Sequence, residues 1–185
     1  MRLSYVILLI VALVLVAGCI QDEPIKELRI PGHAEIYTFE TDIREAVKVY
    51  SNDPVLIRQK FFSADNVTLL FDGSSGEDNA YFVVTLVNLG KIKTYFANEG
   101  RFIQFTSYYL DRGQWFDSQN KPLASAPNGT LMLWLKGPHT GANETSVTIE
   151  NNTITLQGAS LNDLRLAGDR LTLIVFGINE TAIKK

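Results

Sequence analysis

Apolar and polar positions alternate over Ala34–Phe39 (AEIYTF), the period-two pattern of a strand. Thr41 or Asp42 then caps a predicted helix over Ile43–Tyr50, with Glu45 three residues after Asp42 as in a capping box. Asn52-Asp53-Pro54 ends it, because proline disfavours helical geometry in the residue before it. Val55–Phe62 has no decisive period and fits a second short helix. Val67–Phe71 (VTLLF) is an unbroken apolar run and reads as a buried strand, followed by a loop at Asp72–Gly76.

Asp78–Asn98 carries two signals. Its Val-Val-Thr-Leu-Val centre has strand propensity. Ala80, Val83, Val84 and Val87 fall at i, i+3, i+4 and i+7, one face of a helix. Glu77 and Asp78 suit a helix start, Gly100 suits a stop, and the run is too long for a usual strand. These features favour a helix. With the predicted strand Phe102–Leu110 it completes a β-α-β crossover.

Asp111–Asn128 reads as loop, Leu131–Leu135 (LMLWL) as strand, and Gly137–Asn143 as loop. Ser146–Ile149 and Thr153–Leu156 read as a hairpin about Asn151-Asn152. Ser160–Ala167 is a predicted short helix ended by Gly168-Asp169, and Leu171–Ile178 (LTLIVFGI) a predicted final strand. Together these elements predict a single domain of α/β or α+β class, a mixed β-sheet with packed helices and a hairpin-containing insertion.

The amino terminus follows another pattern. Arg2 precedes an apolar run from Tyr5 to Val16, then Val16-Ala17-Gly18-Cys19. Charged, apolar, small is the order of an export signal. With cysteine directly after Ala-Gly, the segment resembles the lipobox of prokaryotic lipoproteins. That resemblance implies a signal peptide over 1–18, cleavage before Cys19, and a diacylglyceryl-type lipid on its thiol. A retained membrane anchor is the alternative; Leu3–Ile20 barely reaches the ~20 residues a spanning helix needs. Both readings put the domain outside the cytoplasm, on the outer face of the cell membrane. Residues 19–28 then form the lipidated terminus and tether, 29–180 one extracytoplasmic domain, and 181–185 a frayed tail.

Cys19 is the only cysteine, so the mature domain has neither an internal disulfide nor a thiolate metal cluster. The net charge of −3 shifts to about −4 without Arg2, and no basic run survives, which argues against nucleic-acid binding. Asn-x-Thr sequons begin at Asn66, Asn128, Asn143, Asn151 and Asn179. With 12 Asn and 24 Ser plus Thr in 185 residues, chance yields about one or two. The excess points to N-glycosylation, against the plainer reading that Asn and Thr coincide in turns. Sequons beside a lipobox fit an archaeal cell surface. The Asp163-Leu164…Ala167…Asp169-Arg170-Leu171 segment likewise resembles uncharacterised lipoproteins of archaea, and carries no catalytic residues to transfer.

Asp72–Asn79 (DGSSGEDN) is the leading ligand-loop candidate, because it follows a predicted strand and opens a predicted helix. Asp72, Asp78 and Asn79, with His139, are its candidate ligand residues; the carboxylates Asp72, Glu77 and Asp78 would suit a cation better than a phosphate, and a plain solvated turn competes with either. His139 sits in the Gly137–Asn143 loop. With His33 it makes only two histidines, too few for a typical metal site, and both read as turn or surface residues. Trp115 and Phe116 read as an exposed loop pair. No Walker, EF-hand or G-x-S-x-G motif occurs. The sequence thus implies no cofactor or metal and no catalytic residue. It favours a non-catalytic domain binding a protein partner or small ligand. A hydrolase using the Asp72–Asn79 loop and an accessory subunit of a membrane complex are the alternatives.

Overall fold

A computed structural model describes residues 23–74 and 76–183, without the side chains of 76, 77, 79–81 and 84. Its centre is β3 (Asn66–Asp72), whose apolar run is covered on both faces. Two more strands pair with it in parallel, β4 (Gln104–Asp111) on one side and β6 (Leu131–Lys136) on the other. β8 (Thr153–Gln157) continues the parallel run beyond β6. Antiparallel edges close the sheet, β5 (Gln114–Asp117) beside β4 and β7 (Ser146–Glu150) beside β8, for a strand order of β5-β4-β3-β6-β8-β7. A separate two-stranded ribbon pairs β1 (Glu27–Arg29) with β2 (Ile36–Thr38), so strand structure begins inside the stretch read as tether. This is the mixed-sheet α+β domain that the sequence predicts.

The helices lie on one face. They are α1 (Ile43–Ala46), α2 (Pro54–Ser63), α3 (Gly76–Asn98) and α4 (Leu161–Phe176), followed by the short α5 (Glu180–Ile183). Asp53 caps α2 by accepting from Leu56 N–H at 2.9 Å, and Pro54 takes the first helical position, where its missing N–H does no harm. The ambiguous Val55–Phe62 stretch is therefore helical.

α3 is the predicted helix, and Val83 and Val87 of the stripe that predicts it point away from the core. Val83 and Val87 are 59% and 49% exposed. Burial instead follows Phe82, Thr85, Leu89, Ile92 and Phe96.

α4 corrects a larger expectation. Gly168-Asp169 does not end a helix, and Leu171–Phe176 is not a strand. Gly168 lets α3 approach: a Cβ there would sit 2.4 Å from Asn88 Nδ2. Asp169 is held by Thr41, whose N–H and Oγ1 each donate to Oδ2 at 2.8 Å. Leu171–Phe176 is buried on all sides, so it lacks the polar face that marks a surface helix. The helix ends instead at Gly177, left-handed at φ 78°, with Ile178 N–H donating to Leu173 O at 2.9 Å.

β5 was hidden in the predicted Asp111–Asn128 loop. Arg112 (φ 48°) and Gly113 (φ 82°) form the two-residue turn that folds it onto β4, the left-handed pair a tight hairpin needs. Residues 118–123 turn back along the outer edge of β5, with Leu123 N–H donating to Trp115 O at 2.8 Å, and the chain then returns to β6 across the other face of the sheet without a helix. Gly129 lies so close there that a Cβ would reach Thr68 Oγ1 at 2.3 Å.

Candidate functional site

Asp72, the first residue of the candidate loop, accepts from Ser74 N–H at 2.9 Å and so closes its own turn. Gly73 donates to Leu110 O at 2.7 Å, and a Cβ on it would meet the Tyr109 ring at 2.8 Å. The turn is thus pinned to β4. Asp78, in the first turn of α3, is fully buried. Its carboxylate accepts from His139 N–H at 3.2 Å and from Thr140 Oγ1 at 2.8 Å, and it packs against Gly137. The loop after β6, which contains a 3-10 turn over Pro138–Thr140, is thereby clamped to the start of α3. The structure brings Asp78 and His139 together through the histidine backbone, whereas Asp72 turns onto Ser74. The side chain of Asn79 lies outside the described set. So does Cys19.

Beside this clamp is a cleft of about 560 Å³. Its origin is a mismatch between layers. β4 and β5 extend past α3, and no further helix among the described residues covers them. Phe105, Ser107 and Tyr109 on β4 therefore stay half-buried on the helix side of the sheet. Val83 and Leu86 of α3 form the opposite wall, 59% and 48% exposed. The floor is a run of rings. Phe71 lies 5.2 Å from Phe82 and 6.0 Å from Tyr109, and Tyr109 stacks on Phe116 at 5.3 Å. Tyr109 Oη donates to Asn120 Oδ1 at 2.8 Å, which fixes the ring. Ser107 and Ser118 add hydroxyls to this apolar lining. Sequence reasoning missed the cleft. Its one visible signal is the apolar Val83 and Val87 pair, which marks a helix face without saying which way that face points.

Trp115 and Phe116 are not a loop pair. They lie on β5, half-buried, and point to opposite faces. Trp115 meets Trp134 edge-on at 5.8 Å, on the face away from the helices where Gly129 lies against Thr68. His33 is no surface residue either. Its side chain is 4% exposed, with Nδ1 2.8 Å from Tyr37 Oη and Nε2 3.0 Å from Glu99 Oε1, tying the β1–β2 turn to the end of α3.

All five sequon asparagines are exposed. Asn66 opens β3, Asn128 precedes β6, and Asn151 precedes β8, all at the amino ends of parallel strands. Asn179 joins them, because α4 leaves the carboxyl end of β8 and runs back along the sheet. Asn143 alone lies at the carboxyl end, between β6 and β7.

A second polar cluster sits between α3 and α4. Asp169 is fully buried, with Lys91 Nζ 3.5 Å from Oδ1, and Lys91 also donates to Asn88 Oδ1 at 2.7 Å. Burial raises the Asp169 carboxyl above its ordinary range, although Lys91 and the Thr41 hydrogen bonds pull the other way. These groups join the two helices and line neither the cleft beside α3 nor the cavity at the end of α4.

Among the described residues, no group of three or more His, Cys, Asp or Glu is placed to hold a metal ion. None of their helices is long and apolar enough to cross a membrane. Comparison of the chain with protein-family models, curated proteins and solved structures returns no match.

Proposed function

We propose that this protein is a lipid-anchored extracytoplasmic binding domain whose ligand seat is the cleft between α3 and the β4–β5 overhang. The observation that carries this reading is the exposed apolar wall of Val83 and Leu86 facing an aromatic floor. Ligand sites are typically concave, mostly apolar, and provided with a few polar groups, which here are the Ser107 and Ser118 hydroxyls. The leader around Cys19 supports the anchor, and the five exposed asparagines suit a cell-surface domain.

The hydrolase alternative draws on the Asp72–Asn79 loop. Two donors hold the Asp78 carboxylate in a clamping role, which favours binding over catalysis. An accessory subunit of a membrane complex would be distinguished by co-purification from detergent-solubilised membranes.

An environment-sensitive apolar dye, anilinonaphthalene sulfonate, tests the seat. The mature domain should bind it saturably with enhanced emission, and Leu86→Glu should abolish that signal while circular dichroism stays unchanged. Equal dye binding by the folded variant would sink the reading. For the anchor, Cys19→Ser should leave the protein unprocessed or release it from the membrane; unchanged processing and retention would refute lipidation.

A further inference from the structure

Away from the cleft, a second cavity of about 360 Å³ lies between the start of α2 and the end of α4. Arg58 and Arg170 both line it. Arg58 is held from behind: its Nε donates to Val175 O at 3.2 Å, and its guanidinium carbon sits 4.6 Å from the Phe62 ring centroid. That arrangement leaves its two Nη groups unengaged among the described residues. Arg170 is less well satisfied, because its Nε is buried with no hydrogen-bond partner. Burial lowers its pKa, and the field of Glu180 only partly opposes this. Neither arginine forms an ion pair among the described residues.

A structural role accounts for one of the two. A cation at the end of α4 meets the partial negative charge of the helix terminus, and the Arg58 contact with Val175 O fits that. It leaves Arg170 unexplained, since its Nε finds no carbonyl. Two positive groups in one cavity repel each other, and a buried N–H without an acceptor is costly. A bound oxyanion in the cavity offsets that repulsion. Gln59 adds an amide donor to the same wall.

We propose that this cavity binds a small oxyanion, a phosphate or carboxylate group, between Arg58 and Arg170. The group could belong to a soluble molecule or to an acidic lipid headgroup, and the two are separable. The protein tested is the chain from residue 19 with Cys19→Ser, so that no lipid drives flotation, made in a host without N-glycosylation so that Asn179 stays bare. Inorganic phosphate is titrated by calorimetry, and flotation is measured with vesicles of neutral or of anionic phospholipid.

Saturable phosphate binding that weakens at least about tenfold in Arg170→Gln and in Arg58→Gln, but not in Lys136→Gln, supports the site. Flotation with anionic vesicles that both arginine substitutions abolish supports it too, and assigns the oxyanion to a headgroup. No saturable binding to either probe, or binding unchanged in both arginine variants, overturns the proposal. Arg58 is exposed, so its substitution keeps the test decisive even where Arg170→Gln does not fold.

Discussion

The two halves of the sheet are finished differently. Over β6, β8 and β7 the helix layer is complete, and Leu133, Ile154, Leu156 and Val147 are each 0% exposed. Over β4 and β5 the layer of described helices stops at α3, and Phe105, Ser107 and Tyr109 remain half-buried. The same sheet thus carries a sealed half, where the stability resides, and an open half, where apolar surface stays available to a ligand. An exposed apolar wall is tolerable only because the sealed half holds the fold.

The largest expected effect separates the halves directly. Leu133→Ala empties a site with no exposure and should destabilise the domain by about 2–5 kcal/mol in denaturant unfolding. Leu86→Ala removes a similar side chain from the cleft wall and should change stability by no more than about 0.5 kcal/mol. Comparable losses would mean that the open half is part of the core.

Two carboxylates sharpen the contrast through pH. Burial raises the Asp169 carboxyl, so the folded state holds that proton to higher pH than the unfolded chain does. Its contribution to stability is full below the ordinary carboxylate range and is lost as pH rises through the folded value. Asp42 is opposite: hydrogen bonds from Arg44, with 2.7 Å between Nη2 and Oδ2, lower its pKa. Its contribution is present above the ordinary range and is lost as pH falls through the depressed value. Unfolding curves across the acid range should therefore lose their upper decline in Asp169→Asn and soften their lower one in Asp42→Asn. The same slope in Asp169→Asn as in the parent would show that Asp169 does not titrate as described.

A smaller stability change is expected when the cleft is filled. Ser107→Trp places an indole where about 560 Å³ is open. Stability should move by about 1 kcal/mol or less, within the range for a site with room. Dye binding should fall to background. A strongly destabilised variant would show that β4 packs more tightly than its exposure suggests.

These contrasts explain what could be read from the sequence. β3, β6 and the β7–β8 hairpin were legible because their apolar runs and turn residues act locally. α3 was legible as a helix, yet its core face contains Thr85 and Asn88 while its open face contains Val83 and Val87. Polarity therefore pointed the stripe outward. The second half of α4 failed for a related reason: a helix buried on all sides has no period to detect, and its apolar run imitates a strand. The Asp72–Asn79 segment does join a strand to a helix, although Asp72 ends β3 and residues 76–79 already form the first turn of α3. That Asp78 would clamp the 138–140 turn, and that β4 would overhang α3, depend on contacts between elements that no local pattern encodes.

The distribution of sequons gives the smallest effect on stability, and a direct test of which end meets a ligand. Four acceptor asparagines lie at the amino ends of the parallel strands, whereas the clamp and the cleft lie toward the carboxyl ends. A glycan is bulky and solvated, so four at one end would leave the cleft accessible. In a glycosylating host, Asn66→Gln, Asn128→Gln, Asn151→Gln and Asn179→Gln should each remove one glycan mass by intact mass spectrometry. Dye binding to the cleft should stay the same, and stability should change by about 0.5 kcal/mol or less at these exposed positions. Asn143→Gln is the sensitive member of the set, because Asn143 alone shares an end with the cleft. If any glycan affects ligand access it should be this one, through a faster dye association rate when the sugar is removed. A rate change on removing any of the other four instead would place the ligand-facing surface at the opposite end of the sheet.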